Sequence, residues 1–308
     1  MCFTQNFWSL LISGLANGML YALIALGYTL VYGVLRLINF AHSEVFMSGG
    51  FAGYFILKAV IGTSQPSGAA SVFYVVLGTA GGAVGGAAVA FLLERVAYRP
   101  LRRRNAPRLA FLISAIGASY FLYNLAGKEF GRDSLSIPAP FTNGTVATVF
   151  GAQIQTYYVV IAIATLIMLV TLDRVVAITR LGKGIRAVAQ DAETASLMGV
   201  NIDRIISQTF IIGGLLGGAA GFLFGLSAGV VYTMGFTPAL KAFTAAVLGG
   251  IGNIRGAVIG GLVLGVAENL GVACTQSSWR DVVAFGILVL VLLVRPTGIL
   301  GERLGRSA

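Results

Sequence analysis

Eight apolar runs, each close to the length of a bilayer crossing, recur along the chain and leave it few folds to adopt. They lie at roughly 8–34, 43–61, 72–93, 109–126, 156–175, 205–232, 256–273 and 282–297. A helix needs about 20 apolar residues to cross a hydrocarbon core about 30 Å thick. The runs are continuous and do not alternate, so they predict bundled helices rather than a β-barrel. Charge agrees: only 10% of the residues are charged, against roughly 25% in a soluble domain. The expected fold is an all-α polytopic membrane bundle, a single transmembrane domain over 1–308 with about eight long spans.

The first run is too long for a signal-peptide core, and residues 1–6 carry no basic stretch before it. Cys2 and Cys274 have no metal-ligand spacing and read as unpaired small residues, with the redox compartment left open. The net charge of +10 sits in three places. Arg95, Arg99, Arg102, Arg103, Arg104 and Arg108 crowd one short loop. Arg174, Arg180, Lys183, Arg186 and Arg204 fall in a second, and Arg295, Arg303 and Arg306 end the chain. Clusters confined to the borders of apolar spans fit the positive-inside rule and attraction to anionic membrane lipid, and argue against nucleic acid. With those segments in the cytoplasm, the N-terminus lies outside and the C-terminus inside. The loops 62–71 and 127–155 then lie outside, with Lys128 and Arg132 as their only cations.

One stretch does not fit an even alternation. "PALKAFTAAVLGGIGNIRG" (238–256) must run from outside to inside, yet it is glycine-broken and short for a crossing. The expectation is a short broken element lining a pathway, because irregular backbone is tolerated at membrane depth only beside protein or water. Glycines elsewhere are ordered. Gly78, Gly82, Gly86 and Ala90 recur every fourth residue, as do Gly213, Gly217, Gly221, Gly225 and Gly229. Such ridges let helix backbones approach closely, within the chain or across a dimer interface.

Two glycine-interrupted segments also carry polar residues. "GVLRLINFAHSEVFMSGGF" (33–51) places Asn39, His42, Ser43 and Glu44 at the start of an apolar run. A charge near the bilayer centre costs about 2.5–3.5 kcal/mol on insertion scales, so it usually faces a cavity or a partner. Helix-start capping, lining of a solute path and a His42–Glu44 proton relay all remain open for this group. "AAVLGGIGNIRGAVIGGLVLG" (245–265) offers Gly249, Gly250 and Asn253 in a comparable design. Interrupted segments in opposite halves of a chain point to a transport site whose helix N-termini favour a solute carboxylate. Glu268 and Lys241 are further buried-charge candidates, unless they snorkel to the interface.

The most polar stretch is "AVAQDAETASLMGVNIDR" (187–204). Its alanines favour a helix over 186–198, Gly199 offers a stop, and Asn201 can cap the next span with Asp203 in its first turn. Gly182, Gly184 and Gly199 read as hinges. An apolar face made mostly of alanine anchors poorly to lipid, so a projecting cytoplasmic docking element within 176–204 is expected.

That stretch resembles the ATPase-coupling segment of ABC importer permeases. "GLANGMLYALIALGYTLVYGVLRLINFAHSEVFMSGGF" (14–51), "KAFTAAVLGGIGNIRGAVIGGLVLGVAE" (241–268) and "VLLVRPTGILG" (291–301) resemble, in order, motifs of LivH-type branched-chain amino acid permeases. Ribose-type permeases are similar more distantly. Ser43 departs from the pattern, standing where the family has glycine. The resemblance implies a membrane subunit of a binding-protein-dependent importer in the bacterial inner membrane. It implies two ATPase subunits, a second LivM-like permease or a homodimer copy, and a periplasmic or lipid-anchored solute-binding protein as partners. It places Ala189, Asp191, Ala195, Leu197, Met198 and Gly199 in the coupling segment. No catalytic residue, metal site or cofactor is expected in this chain, and ATP and Mg would belong to the partner ATPases. "LGKG" at 181–184 is no phosphate loop, since Gly184 rather than Ser or Thr follows Lys183. The expected cargo is a branched-chain or other apolar amino acid. A urea or short-amide permease is the alternative of the same design, and an ion-coupled carrier or channel using Glu44, His42 and Glu268 the alternative from another class.

Overall fold

The computed structural model describes residues 2–37, 39–61, 68–141, 144–149, 151–273, 276–295 and 297–301. Cys274, Arg303 and Arg306 lie outside the described residues. The chain folds as helices α1 (Cys2–Leu35), α2 (His42–Ile61), α3 (Ala69–Leu93), α4 (Arg99–Arg103), α5 (Arg108–Glu129), α6 (Thr156–Ile178), α7 (Arg180–Gln190), α8 (Ala192–Leu197), α9 (Ile202–Ala228), α10 (Phe236–Gly249), α11 (Ile254–Gly271) and α12 (Arg280–Val294). A hairpin of β1 (Thr145–Val149) and β2 (Ala152–Gln155) decorates the 127–155 loop. Seven helices among the described residues are long and apolar enough to cross a membrane. The fold is therefore an all-α polytopic bundle, as expected.

The interior is built around α1 and α9. α1 runs antiparallel to α11, with Gly14 against Gly265 and Gly18 against Gly261. α9 carries two glycine faces where the sequence suggested one. Gly213, Gly217 and Gly221 face Gly27 of α1 and His42 and Phe46 of α2, while Gly214 and Gly218 face Gly82 and Gly86 of α3. Both ridges are consumed by the chain's own helices, which overturns a dimer interface on either. Gly229 is no ridge member: its φ of 76° ends α9, and the next residue, Val230, pairs with Leu135 through two 2.8 Å backbone bonds. The sixth span accordingly stops at Ala228 rather than 232.

Three other boundaries move for physical reasons. The basic stretch after the third span is not a loop. α3 continues through a π-helical turn, Glu94–Tyr98, into α4. Charge pairing makes this tolerable: Arg102 bonds the fully buried Glu94 at 3.0 Å and Asp203 at 2.6 Å, and Arg99 reaches Asp203 at 3.1 Å. Those two arginines thus clamp α4 to the start of α9. Second, 238–256 is not irregular throughout. α10 is a continuous helix of 14 residues, about 21 Å long. The break is a tight turn at 250–253, where Gly250 and Gly252 have φ near 100°. Third, α12 is 15 residues long and ends at Val294, earlier than the apolar composition suggested.

Candidate coupling element and buried polar group

The polar stretch forms two helices, not one. α7 begins under Thr179, whose Oγ1 accepts the Gly182 N–H at 3.2 Å, and it ends at Gln190. Asp191 then turns extended and caps α8, accepting the N–H groups of Glu193 and Thr194 at 3.0 and 3.3 Å. Hydrogen bonds from the Thr194 hydroxyl and N–H hold the Asp191 carboxyl below its ordinary range. An aspartate can leave one helix and start another here because its side chain replaces the missing backbone acceptors of the new first turn. Gly199, at φ 84°, closes α8, and Asn201 Oδ1 caps α9 through the Arg204 N–H at 3.0 Å. Gly182 and Gly184 are not hinges. They are packed inside α7's buried face, against the Val176 backbone and the Ile205 side chain.

The inner face of this element is anchored and its tip is bare. Ile185, Val188 and Ala195 are buried in a cluster with Val31 and Val34 of α1 and Ile205 and Ile206 of α9. Ala195 is therefore an internal support. Leu197 and Met198, by contrast, are 83% and 81% exposed, outside the helices suited to crossing. Asp191 and Gly199 are exposed beside them, and Ala189 is half-buried.

Besides the apolar contacts of Val34, Leu35, Leu37 and Phe40, a charged side chain ties this element to the first glycine-broken segment. Arg36 ends α1 in the left-handed region, at φ 52°, and its Nη2 donates to the carbonyls of Ala189 and Gln190 at 3.1 and 3.5 Å. Cationic donors suit the unpaired carbonyls of a helix C-terminus. From Arg36 the chain folds back into the bundle. His42 packs against Gly27, about two turns, or 12 Å, before the end of α1. α2 thus starts inside the protein.

Asn39, His42, Ser43 and Glu44 are all buried, but they face different neighbours. Asn39 Oδ1 accepts the Ala41 N–H at 3.1 Å and the Tyr98 hydroxyl at 2.7 Å. This ties the α2 entry to the π-turn. The His42 ring is wedged between Gly27 and Gly217 and lies 4.8 Å from the Tyr28 ring. Its Nε2 and Asn39 Nδ2 find no hydrogen-bond partner among the described residues. Glu44 Oε1 takes the Ser119 hydroxyl at 3.0 Å, with Ser43 Oγ also at 3.0 Å. No bond joins His42 to Glu44 among the described residues, so the relay geometry is not formed.

The second broken segment serves a different end. Gly249 lies against Gly256, and Asn253 Oδ1 caps α11 through the Gly256 N–H at 3.1 Å. Asn253 Nδ2 donates to Leu300 O at 2.9 Å, and Ile299 and Leu300 bond the carbonyls of Leu248 and Gly249 at 2.8 and 3.0 Å. Gly250 lies against Gly301. This turn is a seat for the tail after α12, apart from the 39–44 group. Glu268 is also satisfied: Lys241 Nζ reaches it at 2.7 Å and Tyr21 donates to it at 3.0 Å, with Asp281 a further 2.7 Å partner of Lys241. Lys241 is buried rather than snorkelling.

Sequence reasoning missed Arg36, Tyr98 and Ser119. Arg36 carried a readable signal, a lone cation closing a long apolar run just before a polar segment. Tyr98 and Ser119 carried none, since their partners lie far away in sequence.

Residues 10–292 match the family described as branched-chain amino acid transport system / permease component. The chain is 45% identical over 294 residues to the high-affinity branched-chain amino acid transport system permease protein LivH of Escherichia coli, covering 94% of each. It is 43% identical over 299 residues to the permease protein BraD of Pseudomonas aeruginosa, covering 95% of each. The fructose import permease protein FrcC of Rhizobium meliloti is 30% identical over 189 residues, which cover 56% of this chain and 49% of that protein.

Proposed function

Since the chain belongs to the branched-chain amino acid permease family, we propose that it is the membrane subunit of an ATP-driven, binding-protein-dependent importer carrying branched-chain or other apolar amino acids into the cytoplasm. The whole of 1–308 acts as one permease domain in the bacterial inner membrane, N-terminus outside and C-terminus inside. Eight helices cross, counting α12, and α10 is a short ninth segment. The chain binds no cofactor. ATP and Mg are used by two ATPase subunits, which work with a second LivM-like permease or a second copy of this chain, and a solute-binding protein delivers the cargo.

The observation that carries this reading is the bare apolar pair Leu197 and Met198 on a capped element held rigidly to α1 and α9. Large apolar side chains on a polar, water-facing element suit a protein groove. Asp191 and Gly199 set the shape of that tip, and Ala189 and Ala195 fix it to the bundle. A push on α7 and α8 reaches the buried entry of α2 through Arg36, and so reaches Asn39, His42, Ser43 and Glu44. Rigid, closely packed helices suit a switch between outward- and inward-open states. Gly249, Gly250, Asn253 and Glu268 act at the α10–α11 turn and its neighbouring ion pair as supports of the moving frame. The neutralising Lys241 leaves Glu268 poorly suited to an ion-coupled carrier.

Purification of the tagged chain from its own cell tests the reading. It should bring two ATPase subunits with it, and leucine with its binding protein should stimulate ATP hydrolysis in proteoliposomes. Uphill uptake by this polypeptide alone on an ion gradient would refute it.

A further inference from the structure

Three carboxylates are buried deeply among the described residues: Glu94, Glu268 and Glu44, at 0%, 1% and 4% exposure. Two of them have a cation. Glu94 is bonded by Arg102 at 3.0 Å, and Glu268 by Lys241 at 2.7 Å. Glu44 forms no salt bridge among the described residues; its bonds are to the hydroxyls of Ser43 and Ser119, both on Oε1. Ser43 has one proton to give, and its oxygen also lies 2.9 Å from the Phe40 carbonyl. Ser119 is then the only committed donor. A buried carboxylate is usually paired with a cation; Glu44 has none among the described residues, and both of its hydroxyl bonds fall on Oε1.

Its setting adds a second observation. Ser119 belongs to α5, the least buried of the helices suited to crossing among the described residues. Ala118 and Leu122 of α5 pack against the small cluster of Ala41, Val45, Ala90 and Leu93. The unpaired acid is thus screened by the most loosely embedded of these helices. Among the described residues no cationic side chain pairs with Glu44, which leaves its counter-charge to be supplied by another species.

We propose that Glu44, with the Ser119 hydroxyl, is the counter-ion site for the primary ammonium group of the solute as it passes the start of α2. This rests on the proposed amino-acid cargo. An ammonium has three donors and matches a carboxylate oxygen plus a hydroxyl oxygen. A site with one carboxylate and no companion cation holds the amino end of a zwitterion and leaves its carboxylate to other contacts. It passes apolar side chains without reading them.

Leucine uptake by the assembled complex, with its ATPases and solute-binding protein in proteoliposomes, tests this. Glu44→Gln should lower uptake by more than about tenfold, as losing one member of a buried charge pair does, while Glu44→Asp, which keeps the charge, should recover most of it. Equal loss in both variants assigns Glu44 to packing and overturns the proposal, and so does normal uptake by Glu44→Gln. If Glu44→Gln fails to assemble, Ser119→Ala decides: severalfold slower uptake in a normally assembled complex supports the site, and an unchanged rate overturns it. A wild-type complex that accumulates urea but not leucine overturns the cargo assignment itself. Wild-type leucine uptake with an indifferent Glu44→Gln overturns only the counter-ion site.

Discussion

The middle of α9 and the α7–α8 element, joined through the first turns of α9, are held in place by different means. Along α9, backbone meets backbone: a Cβ added at Gly221 would lie 1.9 Å from the Phe46 carbonyl, and one at Gly218 would lie 2.2 Å from that of Gly82. In α7 and α8, side chains do most of the holding, with Gly182 against the Val176 backbone the exception. Thr179 and Asp191 cap the two helices, Asn201 caps the next, and Arg36 closes the α7 C-terminus. The first region has no side-chain freedom to spare and behaves as a rigid post. The second presents two exposed apolar residues whose replacement disturbs nothing inside. Substitutions in the two regions should therefore separate folding from coupling.

The largest effect belongs to Gly221→Leu. Ordinary overpacking of a core costs about 1–3 kcal/mol, but here the obstacle is the α2 backbone, which cannot rotate away. The chain should fail to accumulate or to join its complex, read as loss of the band on a native gel. A normally assembled Gly221→Leu complex would break the rigid-post picture of α9.

Next comes the double change Leu197→Asp, Met198→Asp. Exposed substitutions away from buried partners usually alter stability by no more than about 0.5 kcal/mol, so the folded chain should insert and melt as before. Co-purification of the ATPases and leucine uptake should be lost. Retained uptake would remove the docking role from the α8 tip and leave the two regions differing only in how they are held.

How much of this contrast was legible in the sequence depends on the range of the interaction. The period-four glycines of α3 and α9 announced close packing, because helical spacing is a local property. That Gly214 and Gly218 rather than Gly213 and Gly217 receive α3 was not legible, since it depends on the rotation of one helix against another. The polar segment between α6 and α9 was readable from composition, and Asn201 from its place before an apolar run. The break at Asp191 was masked by the helix-favouring alanines around it. In the sequence the basic stretch after α3 reads as a loop, because Glu94 and Asp203, which neutralise Arg102 and Arg99, lie in different helices. Of the buried polar group, the residues at 39–44 stood out as polar positions in an apolar run. Their separation into a Tyr98-bound Asn39, a glycine-wedged His42 and a Ser119-bound Glu44 is tertiary information.

A smaller effect is expected at the cap between α7 and α8. Asp191→Ala removes the acceptor for two N–H groups, and the amides of Glu193 and Thr194 should exchange with deuterium severalfold faster while those of α9 are unchanged. The same loosening should follow acidification. The folded Asp191 carboxyl is depressed, so its contribution is present above the ordinary carboxylate range and is lost as pH falls through the lower folded value. Exchange that is insensitive to both changes would show that the buried face of α7 and α8, not the cap, fixes the element.

The smallest change sharpens the comparison most, because it uses a residue type the post cannot do without. Gly33 lies in α1, one turn before Arg36, and a Cβ there would meet nothing within 4 Å. With helical backbone and open space, Gly33→Ala restricts the unfolded chain without straining the folded one, a gain of about 0.4–1 kcal/mol. Thermal unfolding in detergent should therefore shift slightly upward, with leucine uptake unaltered. Gly27, two turns earlier on the same helix, supplies the contrast: its added Cβ would lie 2.4 Å from the His42 ring. If Gly33→Ala proved as damaging as a ridge substitution, glycine would be required in α1 for a reason other than the approach of neighbouring groups. The distinction between a post held by missing side chains and an element held by present ones would then not extend beyond α9.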